Sequence, residues 1–221
     1  MKQTRFGIIL AVASFFIMSN QSLVAQDTIK LTSVVPVQWM ADSTVIDNTE
    51  STLVRMEHGI FMTLDTYGLR PGDLYTAWWG IFNVPENCSD QFCSVDDVFL
   101  MDSDGNLILD ENGDTLPNRT GRTRARISLL RASQSIVSED GTLHLQAHLP
   151  VGDANDVGWG PGLLDPINAH VHIILRSHGP ASSEGLQEQY YEPWGGCPKV
   201  PPRDPCIDMV QIAYHIPGAG G

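Results

Sequence analysis

Apolar residues in this chain alternate with polar ones in short runs interrupted by Gly, Pro, Asn and Asp, and no segment of helical length keeps apolar residues three and four apart. Strand side chains point to opposite faces in turn, so each such run gives one apolar face that must be covered by another layer. Strands are expected over 28–38, 53–66, 74–83, 98–102, 107–110, 123–130, 142–149, 169–176 and 209–216. The turn chemistry agrees: Pro71-Gly72 sits between two apolar runs, and Asp104-Gly105 and Asn112-Gly113 mark two hairpin bends close together. The expected fold class is all-β, an antiparallel Greek-key β-sandwich, with a closed antiparallel β-barrel as the alternative. No internal repeat or low-complexity segment stands out.

Lys2 and Arg5 precede an apolar run over 6–18 and a small-residue end at Ala25, the layout of a cleavable secretory signal peptide. That run is too short for a lasting membrane anchor, and no second long apolar run follows, so no membrane span is expected. The expected division is a signal peptide over 1–25 and a single all-β domain over 26–221, secreted or periplasmic. Long Gly- and Pro-rich loops are expected at 151–166 and 180–205, where a rigid sheet commonly carries its binding residues. Once Lys2 and Arg5 leave with the signal, 11 cationic residues face 26 acidic ones, a formal charge of −15. Such a surface excludes nucleic acid and anionic membrane as natural partners and leaves an extracellular or cell-envelope ligand.

Cys88, Cys93, Cys197 and Cys206 are an even count in an exported chain, which favours disulfides. Three pairings exist. The local one, Cys88 with Cys93 and Cys197 with Cys206, is expected because each pair brackets a loop. Neither pair has the two-residue spacing of a zinc knuckle or a redox motif, so the bonds are expected to be structural.

Three constellations could carry chemistry. His170 and His172 lie two apart on one expected strand, and His144 and His148 four apart on the strand before it, so each pair shares a face. If those strands are neighbours, four imidazoles converge, with His178 on the adjoining loop, and the set would suit zinc or copper. Arg122, Arg124 and Arg126 alternate along another expected strand, between Arg119 and Arg131, and such a stripe could hold a carboxylate or a sulfated sugar. Trp78 and Trp79 must face opposite sides of their strand, so at most one is in the core, whereas Trp159 and Trp194 in Gly-rich loops could stack on a sugar. Asp102, Asp104 and Asn106 place oxygen atoms at alternate positions, but the sixth and twelfth places of a calcium loop hold Leu107 and Gly113, so plain hairpins are expected.

Gly68-Leu69-Arg70-Pro71-Gly72-Asp73-Leu74-Tyr75-Thr76 resembles the strand-turn-strand element of chordin-like secreted β-sandwich domains. Ala169-His170-Val171-His172, followed by His178-Gly179-Pro180, is similar to the His-rich strand and loop of those domains. With Asn83 to Ser89 added, the combination resembles a family of exported bacterial proteins of unassigned function. The resemblance implies a Greek-key sandwich and implies no activity.

The chain has no Gly-x-Ser-x-Gly elbow, no His-Glu-x-x-His pair and no phosphate-cradling glycine loop. The expectation is a non-enzymatic binding or structural protein, and the alternative is a metal protein with a His-face site and redox or hydrolytic activity.

Overall fold

The computed structural model describes residues 29–90, 92–152, 158–191 and 209–218. Among the described residues ten strands form two antiparallel sheets: β1 (Ile29–Val35), β2 (Gln38–Trp39), β3 (Glu50–Met56), β4 (Gly59–Thr66), β5 (Asp73–Phe82), β6 (Ile127–Ile136), β7 (Leu143–Pro150), β8 (Gly158–Trp159), β9 (His170–Pro180) and β10 (Met209–His215). One sheet has the order β1-β3-β4-β7 and the other β2-β10-β9-β5-β6-β8. The chain crosses between sheets after β1, β2, β4, β6 and β7, so that β7 returns beside β4 and β9 returns beside β5. That interleaving is the Greek-key sandwich expected from the sequence, and the two sheets do not close into a barrel.

Alternation decides what lies between the sheets. Leu53, Ile60, Met62, Leu64, Leu145 and Leu149 from the smaller sheet meet Ala77, Trp79, Ile81, Val171, Ile173 and Leu175 from the larger one. Trp79 is in this core and Trp78 is on the other face of β5, as adjacent strand residues must be. Trp78 is nevertheless buried, because Arg131 and the short helix α3 (Leu186–Tyr191) cover that face: the Arg131 guanidinium lies 4.0 Å from the Tyr190 ring and 5.4 Å from the Trp78 ring. β5 is therefore buried along its whole length.

Polar groups bolt the two sheets together at one end. The His215 ring takes Ser33 Oγ at Nδ1 and Ser51 Oγ at Nε2, both at 2.8 Å. Arg55, fully enclosed, donates to the carbonyls of Pro166 at 2.8 Å and His215 at 3.0 Å. Burial pulls the Arg55 pKa down to about 10, with Asp165 opposing, so the side chain stays cationic.

Three expectations need correction. The single strand expected over 53–66 is a hairpin, β3 and β4, with Met56 paired to Gly59. A Cβ at Gly59 would lie 2.7 Å from the Leu149 carbonyl oxygen, so the turn ends in the one residue that fits. The strand expected over 123–130 begins only at Ile127, and the residues before it form a helix, α2 (Arg119–Arg124). Finally, the chain does contain a repeat. Residues 99–106, 107–114 and 115–122 are three octads with Leu, Ile, Leu at the second place, Asp, Asp, Asn at the fourth and Gly at the seventh.

The octads fold as a three-armed pinwheel. Leu100 N donates to Leu116 O, Leu116 N to Ile108 O and Ile108 N to Leu100 O, closing a ring of backbone hydrogen bonds. The antiparallel bridges Phe99 to Pro117, Met101 to Leu107 and Leu109 to Thr115 repeat the same relation between arms. Asp102 Oδ1 accepts from the backbone of Asp104 and Asn106, and Asp110 Oδ1 from the backbone of Asn112 and Asp114, which makes two equivalent turns. The third arm runs into α2, which Asn118 caps by accepting from Gly121 N at 2.9 Å.

Candidate functional site: a basic cleft beside Trp159

The segment between β5 and β6 leaves the larger sheet at Asn83 and returns at Arg126. It carries a disulfide, Cys88–Cys93, then the helical turn α1 (Val95–Val98), the pinwheel and α2. Asn83 ties its two ends together, donating to the carbonyls of Arg126 at 2.8 Å and Gly162 at 2.9 Å while its Oδ1 accepts from Leu164 N. Asp97, fully enclosed, pairs with Arg124 at 3.1 Å and accepts from Ser89 N at 2.8 Å. At Gly121 a Cβ would lie 2.4 Å from the Asp97 carbonyl oxygen, so α2 packs on α1 through glycine.

This packing aims Arg122 at β8. Its Nε donates to Val98 O at 2.6 Å, and its guanidinium lies 3.9 Å over the Trp159 ring and 5.0 Å from Phe99. Burial, then the neighbouring Arg119, lower its pKa, and a guanidinium keeps its charge in proteins. Trp159 is held in turn by two glycines. A Cβ at Gly158 would sit 2.0 Å from Leu129 O and one at Gly160 2.4 Å from Ile127 O, and both residues have positive φ. Arg126 is itself left-handed, φ 49°, a conformation an arginine keeps only under tertiary constraint, here the Asn83 hydrogen bond to its carbonyl. Arg122, Thr123, Arg126, Ile127, Trp159, Gly160 and Pro161 line one open cleft of about 310 Å³.

The structure therefore brings Arg122, Arg126 and Trp159 together, though by a route different from a strand stripe. Arg122 and Arg124 are on a helix, and Arg124 turns toward Asp97 and, with Arg119, lines an adjoining depression. Trp194, Cys197 and Cys206 lie outside the described residues. Sequence reasoning missed the support: Asn83, Gly121, Gly158 and Gly160 each answer to a close backbone approach.

The five histidines do not converge. His144 and His148 are exposed on the outer face of the smaller sheet, where His144 Nδ1 meets Asp65 Oδ1 at 2.7 Å. His170 and His172 are on the outer face of the larger sheet, and His178, further along β9, bonds Thr76 Oγ1 at 2.9 Å. β7 and β9 belong to different sheets, so the neighbour relation that four imidazoles need is absent. His172 lies 4.7 Å from the Phe82 ring and 4.8 Å from the Tyr214 ring, opposite Gly80, which leaves it room. Burial, then His170 and His215, push its pKa down to about 3, and the Phe92 carbonyl pulls the other way on both His170 and His172. Among the described residues no three His, Cys, Asp or Glu side chains are placed to hold a metal ion.

No protein-family model, curated protein or solved structure matches this chain.

Proposed function

We propose that this is an exported, non-enzymatic binding protein that takes a small anionic ligand, a carboxylated or sulfated sugar, in the cleft formed by Arg122, Arg126 and Trp159. The observation that carries the reading is the Arg122 guanidinium, pinned at Nε by Val98 O and lying 3.9 Å over the Trp159 ring. Among the described residues nothing bonds its two terminal nitrogens, which remain as paired donors for a carboxylate or sulfate. A guanidinium already fixed loses little side-chain entropy on binding, and Trp159 and Pro161 add apolar wall for a sugar ring. The large net negative charge opposes long polyanions and leaves a compact anion as the better fit. Export is supported by the signal layout and the Cys88–Cys93 bond, and among the described residues no helix is long and apolar enough to cross a membrane. The resemblance to chordin-like domains is in keeping with the sandwich and adds no chemistry.

Calorimetry with glucuronate, glucose 6-sulfate and glucose tests the proposal. The two anions should bind and glucose should not, and Arg122→Ala with Arg126→Ala should weaken binding about tenfold or more, the loss expected for a charge-assisted hydrogen-bond pair. Equal binding of glucose, or an unchanged affinity in the double variant, would overturn it.

A further inference from the structure

Between residues 86 and 114 the chain has nine Asp and Glu and no Lys, Arg or His. Five of its exposed large apolar side chains fall in the same stretch: Phe92, Val95, Leu100, Ile108 and Leu109, between 36% and 59% accessible. An acidic segment with that much apolar surface is not simply a solvated loop, because a solvated loop has no reason to leave leucine and isoleucine in water. The pinwheel explains how they are displayed. Leu100, Ile108 and Leu116 occupy the equivalent second place of the three octads and are joined backbone to backbone. Leu100 and Ile108 are exposed at this place, and Leu116 is half-buried. The bends that carry Asp102, Asp104 and Glu111 are two of the three corners, so carboxylates border the apolar centre on those two arms, while the third carries Arg119. Hydrogen bonds from Asn106 keep the Asp102 carboxyl below the usual carboxylate range, fixing its charge.

We infer that the pinwheel is a docking face for a cationic, amphipathic segment of a partner protein, with large apolar side chains seated on Leu100 and Ile108 and Lys or Arg placed against the acidic corners. Charge complementarity selects this occupant. A second copy meeting pinwheel to pinwheel would set the five carboxylates of the first two octads, Asp102, Asp104, Asp110, Glu111 and Asp114, against the same five, and the whole chain is strongly acidic as well. The pinwheel adjoins the cleft through Arg122 and Phe99, but Leu100 and Ile108 line no part of that cleft, and the inference stands whether or not the cleft binds an anion.

The probe is a synthetic peptide of alternating Lys and Leu, with a Lys-Ser and a Glu-Leu peptide of equal length as controls, titrated into the full chain. Only the Lys-Leu peptide should bind appreciably, and hydrogen exchange should slow over 92–116. Leu100→Ser with Ile108→Ser should weaken it about tenfold, as loss of central apolar anchors does. Asp102→Asn with Asp104→Asn should weaken it severalfold and flatten its salt dependence. These substitutions replace exposed side chains, and unchanged thermal unfolding confirms that the variants fold. Equal binding of the Glu-Leu peptide, protection elsewhere, an unaltered affinity in Leu100→Ser with Ile108→Ser, or a dimer in sedimentation that this variant dissociates would each overturn the inference.

Discussion

His172 and His215 are the two imidazoles that the fold holds far from their ordinary protonation, both pushed down to about 3, chiefly by burial. Each is neutral when folded and takes up a proton near pH 6.5 when unfolded. Their contribution is thus complete above about pH 6.5 and is lost as the pH falls toward 3, costing about 2 kcal/mol for each group by pH 5. Denaturant unfolding at pH 7.5 and 5.0 should show this loss. In His215→Gln, which keeps a donor and an acceptor for Ser33 and Ser51, the loss between the two pH values should be smaller by about 2 kcal/mol. An equal loss in both proteins would mean that His215 does not titrate as its burial requires. Faces within a strand were legible from alternation: His170 with His172, His144 with His148, Trp78 against Trp79. That His215 would sit between sheets was not, since a lone histidine at a strand end has no signal of its own.

Elements were legible where period and turn chemistry agreed, as in β5, β7 and β9, and illegible where the chain bends for tertiary reasons. The hairpin of β3 and β4 was hidden because Glu57-His58 is not a turn pair that sequence alone marks, and the reason for Gly59 is a neighbour in β7. The octads were hidden because their repeat is carried by turn residues, Asp and Gly, rather than by apolar spacing. The segment 83–126 is tied down at its ends by Asn83 and held together internally by the Asp97–Arg124 pair and one disulfide. Closing so short a loop removes about 2 kcal/mol of chain entropy from the open state. Reducing Cys88–Cys93 should therefore speed amide exchange over 85–124 while the core strands β5 and β9 remain protected, as local opening predicts. Uniform acceleration of both regions would show instead that the bond stabilises the whole sandwich.

At the scale of the molecule, composition and alternation were enough for two packed antiparallel sheets, because nine short runs with one apolar face each have few other ways to leave water. They were not enough for strand neighbours. The four-imidazole site needs β7 beside β9, and the two lie in opposite sheets. Arg122, Arg126 and Trp159 line one cleft although Arg122 is on a helix and not on a strand, because the return of the 83–126 segment to the larger sheet passes beside β8. Nuclear magnetic resonance on labelled protein tests, at the atoms concerned, the proposal that Arg122 on Trp159 receives an anion. Adding glucuronate should shift the Trp159 Nε1–H and Arg122 Nε–H signals together, saturably, while glucose leaves both in place. Shifts that spread over other arginines with these two signals unmoved, or the same response to glucose, would contradict the account.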